Sequence, residues 1–415
     1  MVSHPPSCKP IYMKLIHPLL IATLSLSTLN SCIQDEPLNA ECDITGVDET
    51  WLQEHRNILS TDPNIENQRV TFTLANRNID RSAFDPKFTL TPGARITANI
   101  DGKEVEGNGI IRNFNNPQTY TTHSQDGAWK KDYEVIFSYP PIITEEWNLG
   151  FESFELDPSR RFYEWFEMDA ATGERNNIWS SGNPGYDLTR DNIGIQEYPT
   201  VAIDNGVQGK GLKLTTRATG WNMMKMPIAA GNLFIGTFNA SKAAMGQTQA
   251  LQATQFGLPL VTKKPLRLEG YYKYKAGENF TNANFKVQPT LHDTADIYAV
   301  VYEIASKSEM EADPTKKFVA LNGKDVLNSK RIVLLARIDK PVEFQGNIEN
   351  LEESEWIHFS EEFKPMNGKE FSLERMADRG YAIAVVMTSS REGAYFKGAV
   401  GSTLYVDEIK IINEK

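Results

Sequence analysis

The sequence predicts an all-β chain made of two consecutive sandwiches, and three features carry that prediction. Short runs alternate apolar and polar residues, as at Val70, Phe72 and Leu74, which is the period-two signature of a half-buried strand. Turn dipeptides punctuate the runs. Asp101-Gly102, Asp126-Gly127, Asn205-Gly206, Asn322-Gly323 and Asn367-Gly368, among 28 glycines and 21 prolines, offer the residues that tight hairpins need. Helical segments are few, with Glu49 to Leu59 and Ser372 to Asp378 the short candidates.

Taken in order, the chain of 415 residues begins with a leader. A charged start at Lys9, an apolar stretch from Leu15 to Leu29 and the polar pair Asn30 and Ser31 have the layout of an export signal over residues 1-31. The stretch is too short for a membrane-spanning helix, which needs about 20 apolar residues. Leu29-Asn30-Ser31-Cys32 resembles the lipobox of bacterial lipoproteins, and that resemblance implies acylation of Cys32 and anchorage by more than one acyl chain. Residues 32-40 then read as a tether. Its Asp35-Glu36 pair resembles the surface-export signal of Bacteroidota lipoproteins, so the expected location is the outer membrane, lipid-anchored and exposed at the cell surface. With Cys8 removed and Cys32 acylated, Cys42 has no intrachain partner, which suits an exported protein that does not rely on disulfides.

The chain beyond the leader is too long for one core and comfortable for two domains. The formal net charge is −11, and no basic block is longer than two residues, as at Lys263-Lys264. A surface that tracks phosphates is therefore excluded, and nucleic acid with it.

The first sandwich is expected over residues 41-140. Its alternation opens at Val70, Phe72 and Leu74 and returns at Trp129, Tyr133, Val135 and Phe137. The stretch from Phe88 to Phe137 resembles the small Ig-like modules that precede catalytic or binding domains in Bacteroidota surface proteins. That implies an Ig-like β-sandwich whose work is spacing, or docking to another surface protein. Tyr139-Pro140-Pro141 breaks the last strand, because proline donates no ladder hydrogen bond and holds its predecessor extended; a stiff joint is expected there.

The second sandwich is expected over residues 141-415. PLRLEGYYKYK, DIYAVVYEI, RIVLLARI, YAIAVVMTS and STLYVDEIKII are long strands with wide loops between them, which suggests a jelly roll. Six phrases then occur in order: WSSGNPGY, GKGLKLTT, AAGNLFIGTF, FGLPLVTKKPLRLEGYYKYKAGE, DTADIYAVVYE and GAVGSTLYVDEIKI. This run, from Trp179 to the C-terminus, resembles the putative carbohydrate metabolism domain family of Bacteroidota. The resemblance implies a jelly roll behind an Ig-like module and a role in carbohydrate use. It leaves open whether carbohydrate is bound or hydrolysed.

Sugar recognition needs flat apolar ring faces flanked by amides and charged groups that match hydroxyls. Trp179, Tyr186 and Trp221 stand in loop-like segments near Asn183 and Asn222, and burial to pin a loop competes with that reading for each tryptophan. In Leu266 to Lys275 the alternation puts Leu266, Leu268, Tyr272 and Tyr274 on a core face. Arg267, Glu269, Tyr271 and Lys273 then fall on the other, where Tyr271 and Lys273 would line a groove or a solvated face. Glu152 on a first strand and Asp407 on the last, with Tyr405 and Ile409 sharing its face, resemble carbohydrate-binding modules whose outer strands share a calcium. Ca²⁺ takes about six to eight oxygen ligands, and a hydrogen-bonded strand edge is the competing reading. His292, Asp293 and Asp296 precede a strand in an Asp-rich loop, as ligands or as turn residues.

Hydrolysis would need two carboxylates roughly 5 to 9.5 Å apart. With 54 Asp and Glu residues no pair is singled out, and the catalytic residues stay unknown; Glu303, Glu164 and Glu167 are the first to test. There is no G-x-S-x-G elbow and no H-E-x-x-H. Three functions remain. The first is a surface glycan-binding accessory to polysaccharide use, the second a glycoside hydrolase, and the third a structural or adhesive surface protein.

Overall fold

Two sheets stack face to face in the C-terminal half of the computed structural model, which describes residues 38–140, 145–169, 172–190, 193–221 and 224–415. One sheet has eight strands. Its central order runs from Thr254–Phe256 through Asn232–Phe238, Tyr381–Thr388 and Asp296–Glu303 to Ile332–Arg337. The other has six, with Thr200–Ile203, Gly211–Thr215, Thr403–Asn413, Pro265–Lys275 and Ile357–Glu362 in order and Glu146–Leu149 paired to Thr403–Asn413. All ladders in these two sheets are antiparallel. The expected all-β sandwich is what forms.

The core between the sheets is filled by alternate residues of each strand. Ile297, Ala299 and Val301 meet Leu268, Tyr272 and Tyr274 there. Leu266 departs from the expected alternation and is 38% exposed, because the register slips between Pro265 and Arg267. A second slip lies in the closing strand. Glu269 pairs with Lys410 but Tyr271 pairs with Asp407, so Glu408 and Ile409 together oppose Gly270, and Glu408 takes the left-handed φ of 50°. Such a bulge reverses the facing of every later residue. Val406 is therefore in the core, Asp407 points away from it, and Ile409 returns to it. The expectation that Asp407 and Ile409 share a face is corrected by this one residue.

The eight-stranded sheet is apolar on its other face as well. Tyr298, Val300, Tyr302, Ala382, Ala384 and Val386 form a second cluster there, which explains why DIYAVVYE and YAIAVVMT read as continuous apolar runs. Helices cover part of this outer face. The helices Ala240–Ala243, Gln247–Ala253 and Lys307–Ala312 escaped the sequence reading because each is too short to repeat a 3.6-residue pattern. The expected helices appear as Glu49–Glu54, capped by Asp48, and Leu373–Ala377, capped by Ser372.

The N-terminal region holds a six-stranded sheet in the order Asn64–Ile65, Arg69–Thr73, Lys130–Ser138, Gln118–His123, Arg95–Ile100 and Lys103–Glu106. The pair Arg69–Thr73 and Lys130–Ser138 is parallel. Phe72 and Phe84 both stack on Phe137, at 4.4 and 4.3 Å between centroids. Trp129, expected on this inward face, instead sits in the turn before its strand and is 64% exposed.

Asn39–Lys415 is a single compact unit, and partly buried ion pairs fasten the N-terminal sheet to the sandwich. Arg69, almost fully enclosed, bonds Glu134 at 2.9 Å on its own sheet and Glu155 at 3.2 Å across the interface, and it contacts Glu164 as well. Arg77 reaches Asp169 at 2.9 Å and Arg81 reaches Glu174 at 3.0 Å. A guanidinium fork suits such multiple carboxylate contacts. The N-terminal sheet is thereby docked onto the C-terminal sandwich rather than held away from it.

Candidate functional site

A cavity of about 410 Å³ opens on the outer face of the eight-stranded sheet. Phe234, Phe256, Tyr298 and Val386, alternating away from the core on four neighbouring strands, make its floor. Ala243 and Ala250, on the short helices above, are small enough to leave the space open. Tyr395 and Phe396 close one side from the turn Gly393–Tyr395, which Phe396 ends with a left-handed φ of 57°. Trp221 and Met226 come from the hairpin that joins Arg217–Trp221 to Met226–Ala229. The Thr219 hydroxyl fixes that hairpin, accepting the Trp221 amide at 3.1 Å and donating to the Met226 carbonyl.

Charge enters where the strands begin and end. Asp296 opens its strand on the cavity face, and Arg337 closes the neighbouring one. Arg337 donates through Nε to Oδ1 of Asp296 at 2.8 Å and through Nη2 to Oδ2 at 2.7 Å. Burial pushes the Asp296 carboxyl above its ordinary range, and the Arg337 hydrogen bonds oppose that shift. Arg391 approaches Oδ1 at 3.6 Å. Its Nη2 donates to the carbonyls of Ile338 at 3.3 Å and Asp339 at 2.8 Å, while its Nε is buried without a hydrogen-bond partner among the described residues. Among the described residues lining the cavity, Asp296 is the sole carboxylate.

The expected site residues divide. Trp221 is half-buried and lines the cavity. Tyr186 lines it too, with most of its ring packed among Phe162, Tyr198 and Val201 and its hydroxyl 3.4 Å from the Ala218 carbonyl. Trp179 does not take part. It is 6% exposed, its ring packs near Phe151 in the inter-sheet core, and its Nε1 donates to Glu167 at 2.7 Å. Asn183 is buried as a brace, donating from Nδ2 to the Thr200 carbonyl at 2.8 Å and accepting the Thr200 amide at 3.1 Å. Asn222 lies outside the described residues, as do Cys32 and the leader.

Tyr271 and Lys273 belong to the other sheet and face away from the core, so they are not near this cavity. Tyr271 packs beside His358, and Lys273 is buried, with Nζ donating to the Glu352 carbonyl at 2.6 Å over the Trp356 ring. A groove lined by Lys273 is thereby corrected: a loop already covers it. In the Asp-rich loop, His292 is exposed and bonds Glu343 at 2.7 Å. Asp293 is a buried anchor that accepts from the Ser390 and Ser402 hydroxyls at 2.5 and 2.7 Å. Only Asp296 of the three reaches the cavity.

Glu152 and Asp407 grip one loop from two sides. Asp407, fully buried, accepts the amides of Val207 at 2.6 Å and Gln208 at 3.2 Å through Oδ2, and among the described residues its Oδ1 has no hydrogen-bond partner. Glu152 lies in the exposed turn after its strand and accepts the Lys210 amide at 3.0 Å. Glycine is required at the loop's close approaches. A Cβ on Gly206 would lie 2.5 Å from Asp407 Oδ2, and one on Gly209 would lie 2.5 Å from Glu152 Oε1. Burial pushes the Asp407 carboxyl up to about 6 against the loop amides that lower it. Among the described residues no cluster of three or more His, Cys, Asp or Glu has metal-binding geometry.

The carboxylates named as catalytic candidates are engaged elsewhere. Glu164 is paired with Arg69 beside a space of about 30 Å³, room for water but not for a sugar ring. Glu167 holds Trp179, and Glu303 is paired with Lys369. Sequence reasoning missed Arg337 and Arg391. The usable signal was a charged residue ending the otherwise apolar run IVLLAR, opposite the strand that Asp296 begins.

A family profile described as a putative carbohydrate metabolism domain matches residues 150–412. Two of the similar solved structures are these. A putative glycoside hydrolase from Bacteroides thetaiotaomicron VPI-5482 shares 36% identity over 92% of this chain and 99% of its own, with a TM-score of 0.73. One from Bacteroides vulgatus ATCC 8482 shares 33% over 66% of this chain and all of its own, with a TM-score of 0.54. No curated protein matches.

Proposed function

Because this chain belongs to the putative carbohydrate metabolism domain family, we propose that its outer-face cavity binds a saccharide, as an accessory to polysaccharide use. The observation that carries the reading is the cavity itself, with an apolar floor, a half-buried Trp221 at its side and charged donors at one end. Ring faces receive the C–H surface of a sugar, and the convergent polar groups orient its hydroxyls. Binding is favoured over hydrolysis by the lining. A two-carboxylate mechanism needs a partner for Asp296 at roughly 5 to 9.5 Å, and Asp296 is already held at both oxygens by Arg337.

Hydrolysis is the second reading, favoured by the description of both similar solved structures as putative glycoside hydrolases. The two are separated by one comparison. The purified chain is titrated calorimetrically with an oligosaccharide panel and then incubated with the same panel. Heat of binding without new reducing ends supports the accessory role; reducing ends released by wild type and lost in Asp296→Asn would replace it with hydrolysis.

The proposal also places the protein on the outer membrane, anchored through Cys32 with the binding domain outward; its basis is the lipobox-like Leu29-Asn30-Ser31-Cys32. Incorporation of a clickable palmitate that Cys32→Ser abolishes tests it. A structural Ca²⁺ held by Asp407 and Glu152 is part of the same proposal, with the unpartnered Oδ1 of Asp407 in its favour. When bound, the ion would neutralise that buried carboxylate. Docking to other surface proteins stays a proposal on the strength of the N-terminal sheet alone.

A further inference from the structure

The charge of the cavity runs against the charge of the chain. The formal net charge is −11, yet among the described residues the cavity is lined by three cations, Lys324, Arg337 and Arg391, and by one carboxylate, Asp296. That carboxylate is spent on Arg337, which takes both of its oxygens at 2.8 and 2.7 Å. The positive charge left over therefore belongs to Arg391 and Lys324.

Arg391 is the specific group. Among the described residues its Nη2 is bonded to two backbone carbonyls, and the 3.6 Å approach to Asp296 is beyond hydrogen-bond length. Its Nε is buried with no partner among them. A guanidinium carries five N–H donors in a planar fork that matches two oxygens of one anionic group. A neutral hydroxyl would satisfy one donor and leave the charge uncompensated. Two more arginines lie behind the hairpin that carries Trp221 without lining the cavity, Arg190 bonded to the Ala218 carbonyl at 2.7 Å and Arg217 to the Gln196 carbonyl at 3.3 Å. In a site walled by low-dielectric aromatic rings, the charge on Arg391 draws anions more strongly than it would in water.

We infer that the cavity takes an acidic saccharide, one whose carboxylate or sulfate group seats against Arg391 while a sugar ring lies along Trp221. This rests on the carbohydrate reading above and narrows its ligand class. Carboxylate and sulfate share the chemistry the fork recognises.

The test is calorimetry on the full chain with four probes: oligogalacturonates, the same oligosaccharides after carboxyl reduction, sulfated galactan oligosaccharides, and their desulfated counterparts. An acidic series is expected to bind about tenfold or more tighter than its neutral counterpart, and the series that does so says which anion is read. Arg391→Gln is expected to abolish that preference and Arg391→Lys to keep part of it, with thermal melts confirming that both fold. Added salt should weaken the acidic series and spare the neutral one. Neutral oligosaccharides binding as tightly as acidic ones, or acidic binding unchanged in Arg391→Gln, overturns the inference and leaves saccharide binding in place. Binding to none of the four overturns both.

Discussion

Arg337 clasps Asp296 with two parallel hydrogen bonds at the end of the outer-face cavity, 2.8 Å from Nε to Oδ1 and 2.7 Å from Nη2 to Oδ2. The pair joins the strands Asp296–Glu303 and Ile332–Arg337 and removes from solvent the one carboxylate that lines the cavity among the described residues. Breaking one side of a buried pair leaves the other charge without compensation. Asp296→Ala should therefore lower unfolding stability by about 3 to 5 kcal/mol in urea denaturation, and Asp296→Asn by less, because the amide oxygen still accepts from Arg337. An Asp296→Ala protein as stable as wild type would show that the pair does not hold these strands.

The two tryptophans that stand out in the sequence as sugar platforms should respond in opposite ways. Trp179 is 6% exposed in the core, so Trp179→Ala opens a void that costs about 3 to 5 kcal/mol. Trp221 lines the cavity and is half-buried. Its replacement by Ala should change stability little and weaken saccharide binding about tenfold or more. Melting curves and calorimetry on the two variants check this together.

Glu167 gives the sandwich a pH dependence. Burial pushes its carboxyl up to about 7, with the Trp179 Nε1 hydrogen bond pulling the other way. A carboxyl raised in the folded state keeps its proton where the unfolded chain has lost it. Its contribution is full below about pH 4.5 and disappears as pH rises through about 7. Stability should fall over that window by on the order of 1 to 3 kcal/mol. Glu167→Gln, which can still accept from Trp179, should flatten that part of the profile in denaturation measured from pH 5 to 8.

Calcium should act through Asp407. If the ion sits at the unpartnered Oδ1, millimolar Ca²⁺ raises Tm of the wild type and a chelator lowers it. Asp407→Asn should remove the difference while keeping an oxygen for the Val207 and Gln208 amides. A wild-type Tm indifferent to Ca²⁺ would leave Asp407 as a loop anchor alone.

Much of the fold was legible because strand period and turn chemistry are local. DIYAVVYE, RIVLLAR and YAIAVVMT declare strands buried on both faces, and the structure places them side by side. The closing strand misled because a bulge at Glu408 leaves no mark on the apolar pattern until the phase has already changed. The site was harder to read. Trp221 stood out as a tryptophan in a loop-like segment, but Trp179 did too, and only the pairing of Trp179–Ser181 with Asn232–Phe238 separates them. Lys273 looked open because the segment that covers it, around Glu352 and Trp356, is remote in sequence. Arg391 comes to Asp296 from 95 residues away, and no local spacing announces such a meeting.

The most direct measurement is a crystal structure of the chain with the oligosaccharide that binds it best. The account predicts density in the outer-face cavity, with a sugar ring along Trp221 and an anionic group on Arg391. A ligand bound over Tyr271 on the other sheet, or a cavity left empty by a saccharide that binds tightly in solution, would contradict it.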